Sequence, residues 1–350
     1  MIEVIGEPAS AALFGLAGGI VLGLAARLAR FCSLGAIEDA FLGGSNKRIA
    51  MWAIAIGVAL VGCFTLSATG QLDLAGTFYH TQPFSPILVV VGGLVFGYGM
   101  SLAGNCGFGA LARMGGGDLR SFVIVLVLGI CAYVTLTGPL APLRVAVLEA
   151  TAVSLPEGGI AGMLAGIGIP PLLTGLVAGA AFLALGLAQS GLRHDRTALI
   201  WSVLVGLAIV SGWAGTQHIA AHGFEAIGVA SHTYSAPVGE TILFVMTASG
   251  GGLSFGVGSV LGVVVGAVIG SLCKGQFRWE SCEDPRELRR QIAGAAGMGV
   301  GAVLAVGCTI GQGISAFSVL AYSAPLAVVS ILIGAAAGLN YLVTGRLSWR

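Results

Sequence analysis

The sequence reads as an all-α, polytopic membrane protein, and three observations carry that reading. Only 9% of the 350 residues are charged, against about 25% in a soluble domain, too few to cover a water-facing surface. Mean hydropathy is +0.97, and apolar runs of roughly 18 or more residues, enough to cross a hydrocarbon core, recur from end to end. The 58 glycines provide small surfaces for close helix approach and permit helices that break inside the protein.

Nine spans follow in order, at about 11–30, 49–69, 86–104, 121–138, 172–190, 198–214, 238–272, 290–307 and 325–343. The seventh is too long for one simple crossing. Its Ser-Gly-Gly-Gly run at 249–252 predicts a break, with one arm re-entering or tilting. Lysine and arginine favour cytoplasmic loops. With the N-terminus outside, 15 of the 16 basic residues fall inside. They are Arg27, Arg30, Lys47, Arg48, Arg113, Arg120, Arg193, Arg196, Lys274, the cluster Arg278–Arg290, Arg346 and Arg350. Only Arg144 falls outside, and loops 70–85 and 215–237 hold no lysine or arginine. The expected topology is N-terminus outside, C-terminus cytoplasmic. The start of the chain is acidic (Glu3, Glu7), so no cleavable leader is expected.

Two stretches 202 residues apart repeat each other, VGGLVFGYGMSLAGNCGFGAL around Cys106 and AGAAGMGVGAVLAVGCTIGQG around Cys308. Without gaps, seven of 21 positions match: Gly92/Gly294, Gly97/Gly299, Gly99/Gly301, Leu102/Leu304, Ala103/Ala305, Cys106/Cys308 and Gly109/Gly311. Each is a glycine-spaced apolar helix that runs into a cysteine and a glycine-broken turn. The span before Cys106 runs inward and the span before Cys308 runs outward, so the turns open to opposite faces. That pattern predicts an inverted repeat of halves 1–150 and 172–350 within a single transmembrane domain, the arrangement with which many transporters build a central binding site.

Three constellations carry chemistry. In RFCSLGAIEDAF (30–41), Cys32 is flanked by Arg30, Glu38 and Asp39, charges that are costly at membrane depth unless paired. In GNCGFGALARMGGGDLRS (104–121), a break at Gly104, Asn105, Gly107 and Gly109 frees backbone N–H groups beside Cys106, with Arg113 a few residues on. Such a helix end suits an anion. In GCTIGQGISAFS (307–318), Gly307, Thr309, Gly311 and Gln312 surround Cys308 by the same logic. The run SGGGLSFGVGS (249–259) offers Ser254 as the stand-in for Cys32 in the second half.

The remaining features read as structural. Cys63 and Cys131 are expected to be small buried hydrophobes, and Cys273 and Cys282 exposed thiols of an inner loop. No CxxC pair or metal-ligand spacing occurs, so neither a metal nor another cofactor is expected. His80, His218, His222 and His232 fall in outer loops, where a pH-sensitive mouth is conceivable, and His194 falls in an inner one. No carboxylate sits well inside a span (Glu240 is near an outer end), which argues against a carboxylate-driven proton pump. The basic cluster Arg278–Arg290 reads as a positive-inside anchor, with docking of a cytosolic partner as a second use. No nucleic-acid partner is expected.

At RFCSLGA, GNCGFGALARMGGGDLRS and FRWESCEDPRELRRQIAGAAGMGVGAVLAVGCTIGQGISAFS, the chain resembles the YeeE/YedE sulfur-transport family of bacterial inner-membrane proteins. The resemblance covers essentially the whole length and is strongest to members that take up thiosulfate. It implies an hourglass-shaped helical bundle, not an enzyme, in which Cys32, Cys106 and Cys308 pass thiosulfate inward through transient S–H contacts. It also implies a TusA-like sulfur carrier as a cytosolic partner. The sequence ends seven residues after the last expected span, which places such a carrier on a separate chain. The third motif departs from the family at Ala316, where glycine is usual.

A small dianion cannot cross hydrocarbon unaided, and a path must offer donors without holding the ion too tightly. Neutral thiols are weak donors of that kind, and apolar burial favours the neutral form. The expected order is outside, Cys308, Cys106, Cys32, cytoplasm, with Cys32 last because Arg30 stands at the inner end of its span. Two other readings stay open on the residues alone: a membrane thiol–disulfide protein using Cys106 and Cys308, and a channel for another small anion, sulfur or selenium species.

Overall fold

A computed structural model describes residues 6–247, 252–281 and 284–345. Within them the regular elements are helices, and β pairing is confined to isolated bridges. In order these are α1 (Glu7–Leu28), α2 (Ser33–Phe41), α3 (Lys47–Ala68), α4 (Pro86–Ala103), α5 (Gly107–Met114), α6 (Leu119–Leu136) and α7 (Ala141–Thr151). The second run is α8 (Gly159–Ala165), α9 (Pro171–Ala188), α10 (Arg196–His222), α11 (Ala236–Met246), α12 (Phe255–Cys273), α13 (Pro285–Leu304) and α14 (Ser323–Thr344), with a π-helical segment, Gly311–Ala316, before α14. Local chemistry sets the ends. The Asp118 carboxylate accepts from the N–H of Arg120 and Ser121 to cap α6, Asp195 caps α10 the same way, and proline opens α9 and α13.

Eight helices among the described residues are long and apolar enough to cross a membrane, against nine expected spans. The difference is α13: it has 20 residues, but Arg286, Glu287, Arg289 and Arg290 crowd its first turns. The long seventh span is two helices, α11 and α12. Residues 248–251, most of the expected glycine break, lie outside the described residues, as do Cys282, Arg346 and Arg350.

Glycines decide how the helices meet. A Cβ on Gly15, Gly19 or Gly23 of α1 would strike the carbonyl oxygens of Phe255, Ser259 and Val263 on α12. In return Gly258, Gly262 and Gly266 of α12 lie against the carbonyls of Ala12, Leu16 and Ile20. At the centre α4 crosses α13 with Gly92 on Gly301 and Gly99 on Gly294, where a Cβ would come within 2.5–2.7 Å of the facing carbonyl oxygen. Such contact lets dispersion act backbone to backbone, the usual cohesion of membrane helices.

Neighbours come in matching sets. Helix α1 packs on α12 as α10 packs on α3; α4 on α14 as α13 on α6; α2 on α14 as α11 on α6. Helix α5 touches α6, α12 and α1, while the π-helical segment touches α14, α3 and α10. Loops gather at two faces. On one, residues 70–85, 152–159 and 223–235 meet through the bridges Thr77–Val229 and Phe84–Val153. The other carries the arginines; there Arg120 reaches Asp118, Glu280 and Glu287 at 3.4–3.9 Å, and Lys47 pairs with Asp195.

The structure corrects the expected loop setting of three histidines: His218 and His222 lie in the last turns of α10, and His232 is drawn inward, while His80 stays in loop 70–85. Segment 229–235 dips into the bundle instead of staying outside, so His232 is fully buried with Nδ1 2.6 Å from the Ser259 hydroxyl. His80 is half-buried with Nδ1 on the Leu74 carbonyl at 2.6 Å, and burial pushes its pKa below the ordinary histidine range.

Valine at Gly301 forces the α4–α13 crossing apart, and overpacking of this kind costs about 1–3 kcal/mol. Thermal unfolding in detergent is expected to show a clear fall for Gly301→Val and little change for Gly191→Val, whose position has open space around it.

Candidate functional site

Helix α4 ends at Gly104, which adopts the left-handed conformation (φ 75°) that glycine takes without a Cβ penalty. The chain then turns through Asn105 into Cys106, the N-cap of α5. The Cys106 sulfur accepts from the Gly109 N–H at 3.3 Å, as a serine oxygen would at a helix start. The α13 end is built alike. After Gly307 (φ 156°), the Cys308 sulfur accepts from the Gly311 N–H at 3.5 Å and from the Tyr234 N–H at 3.3 Å, with Thr233 Oγ1 at 3.6 Å. Both thiols are fully buried. With each sulfur accepting from backbone, the S–H remains available to donate. The opening N–H groups at 107 and 108, and at 309 and 310, have no intrahelical partner.

Two small backbone features lie between the expected cysteines. Tyr234 is the first: its N–H holds Cys308, its carbonyl lies 3.9 Å from where a Cβ on Gly107 would sit, and its ring packs at 5.3 Å on Phe108. Gly109 is the second: a Cβ there would lie 3.6 Å from Cys106 Sγ and 4.0 Å from Cys32 Sγ. Cys32, the half-buried N-cap of α2, makes no capping bond with its sulfur. It lines a cavity of about 220 Å³ together with Arg27, Arg30, Arg48, Arg113, Glu38, Gly104 and Gly109. Arg30 itself has left-handed backbone (φ 57°). At the opposite face a cavity of about 490 Å³ reaches Thr233 and is lined by Tyr79, Glu225 and Glu240 but no lysine, arginine or histidine.

Other expected residues turn out differently. Gln312 lies on the π-helical segment, and its amide is spent within the protein: Nε2 donates to the carbonyls of Ala305 (2.7 Å) and Val306 (3.1 Å), and Oε1 accepts from Ser323 (3.1 Å). It closes the broken end of α13. Ala316, at the family's usual glycine, ends the same segment and is fully buried. Thr309 lines a lateral apolar groove with Trp52 and Phe182. Asn105 Oδ1 and Thr309 Oγ1 are buried without a partner among the described residues. Ser254 does not stand in for Cys32; it caps α12 through the Val257 N–H. The group touching Cys308 is Thr233, whose polar surroundings, Ser231–Ser235, interrupt an apolar stretch that carries no lysine or arginine. That was the signal available in the sequence. Of the other cysteines, Cys63 is buried, Cys131 half-buried and Cys273 exposed.

A multi-pass helical membrane protein with two broken helices, each presenting a thiol at mid-bundle, is the class that this architecture defines. Residues 28–337 match the family model described as sulphur transport, and the chain belongs to that family. Two curated relatives are similar over nearly the whole length. The thiosulfate transporter TsuA of Escherichia coli (strain K12) is 26% identical over 342 residues, 92% of each chain. The thiosulfate transporter TsuA of Spirochaeta thermophila is 26% identical over 336 residues, 91% of this chain and 96% of the relative.

Gly109 separates Cys106 from Cys32 at ordinary van der Waals distances, so a methyl group fits there without clash. Gly109→Ala is expected to leave expression and thermal stability near wild type while labelled-substrate uptake drops severalfold, because the methyl fills the gap between two thiols.

Proposed function

We propose that the protein carries thiosulfate into the cytoplasm along Cys308, Cys106 and Cys32. The observation that supports this reading is that the Tyr234 backbone reaches Cys308 and the Cys106 turn, while Gly109 lies against Cys106 and Cys32, with Cys32 in a cavity lined by arginines. The names of the two relatives support thiosulfate as the substrate. The arginine-bearing face is taken as cytoplasmic by the positive-inside rule, with a TusA-like carrier as the recipient there.

The chemistry follows from weak, neutral donors. Thiosulfate enters beside Thr233 and meets the Cys308 S–H and the free N–H groups that open the next helix. A charge-assisted contact from an ionised donor would trap a dianion at mid-membrane; a thiol does not, so the ion passes to Cys106 and on to Cys32. The orphaned Asn105 amide turns by a half rotation to offer its N–H₂ beside Cys106. Matched neighbours and the reciprocal Gly92–Gly301 and Gly99–Gly294 contacts support the inverted repeat of halves 1–150 and 172–350, which puts the two thiol turns back to back.

A bacterial strain lacking other sulfate and thiosulfate uptake is expected to grow on thiosulfate when it expresses this protein, and Cys106→Ala should abolish that growth at unchanged protein level. Normal growth of the Cys106→Ala strain would sink the thiol relay.

A further inference from the structure

We propose that the arginine-lined cavity is a holding site for tetrahedral dianions in general, and that sulfate on that side therefore slows uptake. The proposal rests on reading this face as the cytoplasmic end of the path.

Charge and space carry the argument. Arg27, Arg30, Arg48 and Arg113 line one cavity with Cys32. Two carboxylates of α2 oppose them: Asp39 is taken by Arg48 at 3.1 Å, and Glu38 lies in the lining. Glu280 also acts on Arg27, but it is shared with Arg120 and Arg278 at 3.8 and 3.5 Å. Arg27, Arg30 and Arg113 have no carboxylate within 4.0 Å among the described residues. Four guanidiniums against Glu38 and Asp39 leave two positive charges uncompensated, the complement of a dianion. Room comes from glycine: a Cβ on Gly116 would press on the Arg27 guanidinium at 2.6 Å, and one on Gly35 would strike Arg48.

The opposite mouth has the reverse character, with Glu225 and Glu240 and no cation in its lining. A dianion therefore meets compensating charge at one end only, and it waits there. Guanidinium forks read charge and oxygen geometry; they do not read the terminal sulfur that a thiol contacts. Sulfate, a tetrahedral dianion of similar size, fits the same cavity. Held there, it closes the exit at Cys32 to incoming substrate.

The test uses the full-length protein in liposomes loaded with sulfate or with chloride at equal ionic strength, orientation being scored by maleimide labelling of exposed Cys273. Initial uptake of labelled thiosulfate is expected to be severalfold slower into sulfate-loaded vesicles. Arg30→Gln and Arg113→Gln should remove the difference, and Arg113→Lys should preserve most of it. In detergent, labelled sulfate should bind wild type in excess chloride and fail to bind the double Arg30→Gln, Arg113→Gln variant. Equal uptake into both kinds of vesicle, or equal sulfate binding by wild type and double variant, overturns the holding site and leaves the transport reading intact. Vesicles that take up no thiosulfate at all overturn the transport reading, and sulfate binding in detergent still decides the site.

Discussion

Backbone contact between α4 and α13 is the constraint on which the rest depends. Gly92 lies on Gly301 and Gly99 on Gly294, so two helices that both end in the bundle cross without side chains between them. In a bilayer there is no hydrophobic drive to bring helices together, and close contact of small residues supplies the cohesion. Because the two helices meet so closely, their broken ends are held at fixed depth. The four glycines fill two of the seven positions that the repeated stretches share, 92/294 and 99/301. The repeat thus marks the surfaces that touch.

From those ends follows the thiol geometry. A helix that stops inside a membrane leaves carbonyls and N–H groups that must find partners in the protein. Here Gln312 takes the carbonyls of Ala305 and Val306, just past the end of α13. Each cysteine sulfur takes one N–H of the helix that follows it. A cysteine at an N-cap is a poorer cap than serine, aspartate or asparagine, which makes sense where the sulfur also serves a passing ligand. Asn105 Oδ1, buried beside Cys106 without a partner among the described residues, points the same way, since buried polar groups without partners are rare.

Electrostatics gives the two mouths different work. One cavity has a largely apolar lining with Glu225 and Glu240, and the other is lined by four arginines. On the proposed reading the arginines draw the anion through, and the donors before them are weak and neutral, as rapid passage requires. The ion pairs on the arginine face are partly exposed and contribute little to stability.

Sequence alone determined the class of fold, because apolar runs of roughly 18 or more residues span a membrane as helices, which satisfy the backbone within each segment. The broken helix ends at Cys106 and Cys308 were also legible, since a cysteine beside glycines at a helix end is a local pattern. Tertiary structure decided what those cysteines touch. Thr233 and Tyr234 reach Cys308 across 75 and 74 residues of sequence, and the polar run SHTYS marks a buried site without naming the cysteine it meets. Gln312, which looked like a path donor, became a helix closure, and Ser254 became a cap, because a side chain's role depends on which backbone groups lie within its reach. Arg27 and Arg48 joined Arg30 and Arg113 around one cavity only when α1, α2, α3 and α5 came together. Periodicity and composition record what each segment needs; which partner meets that need is fixed only by close contact between segments far apart in the chain.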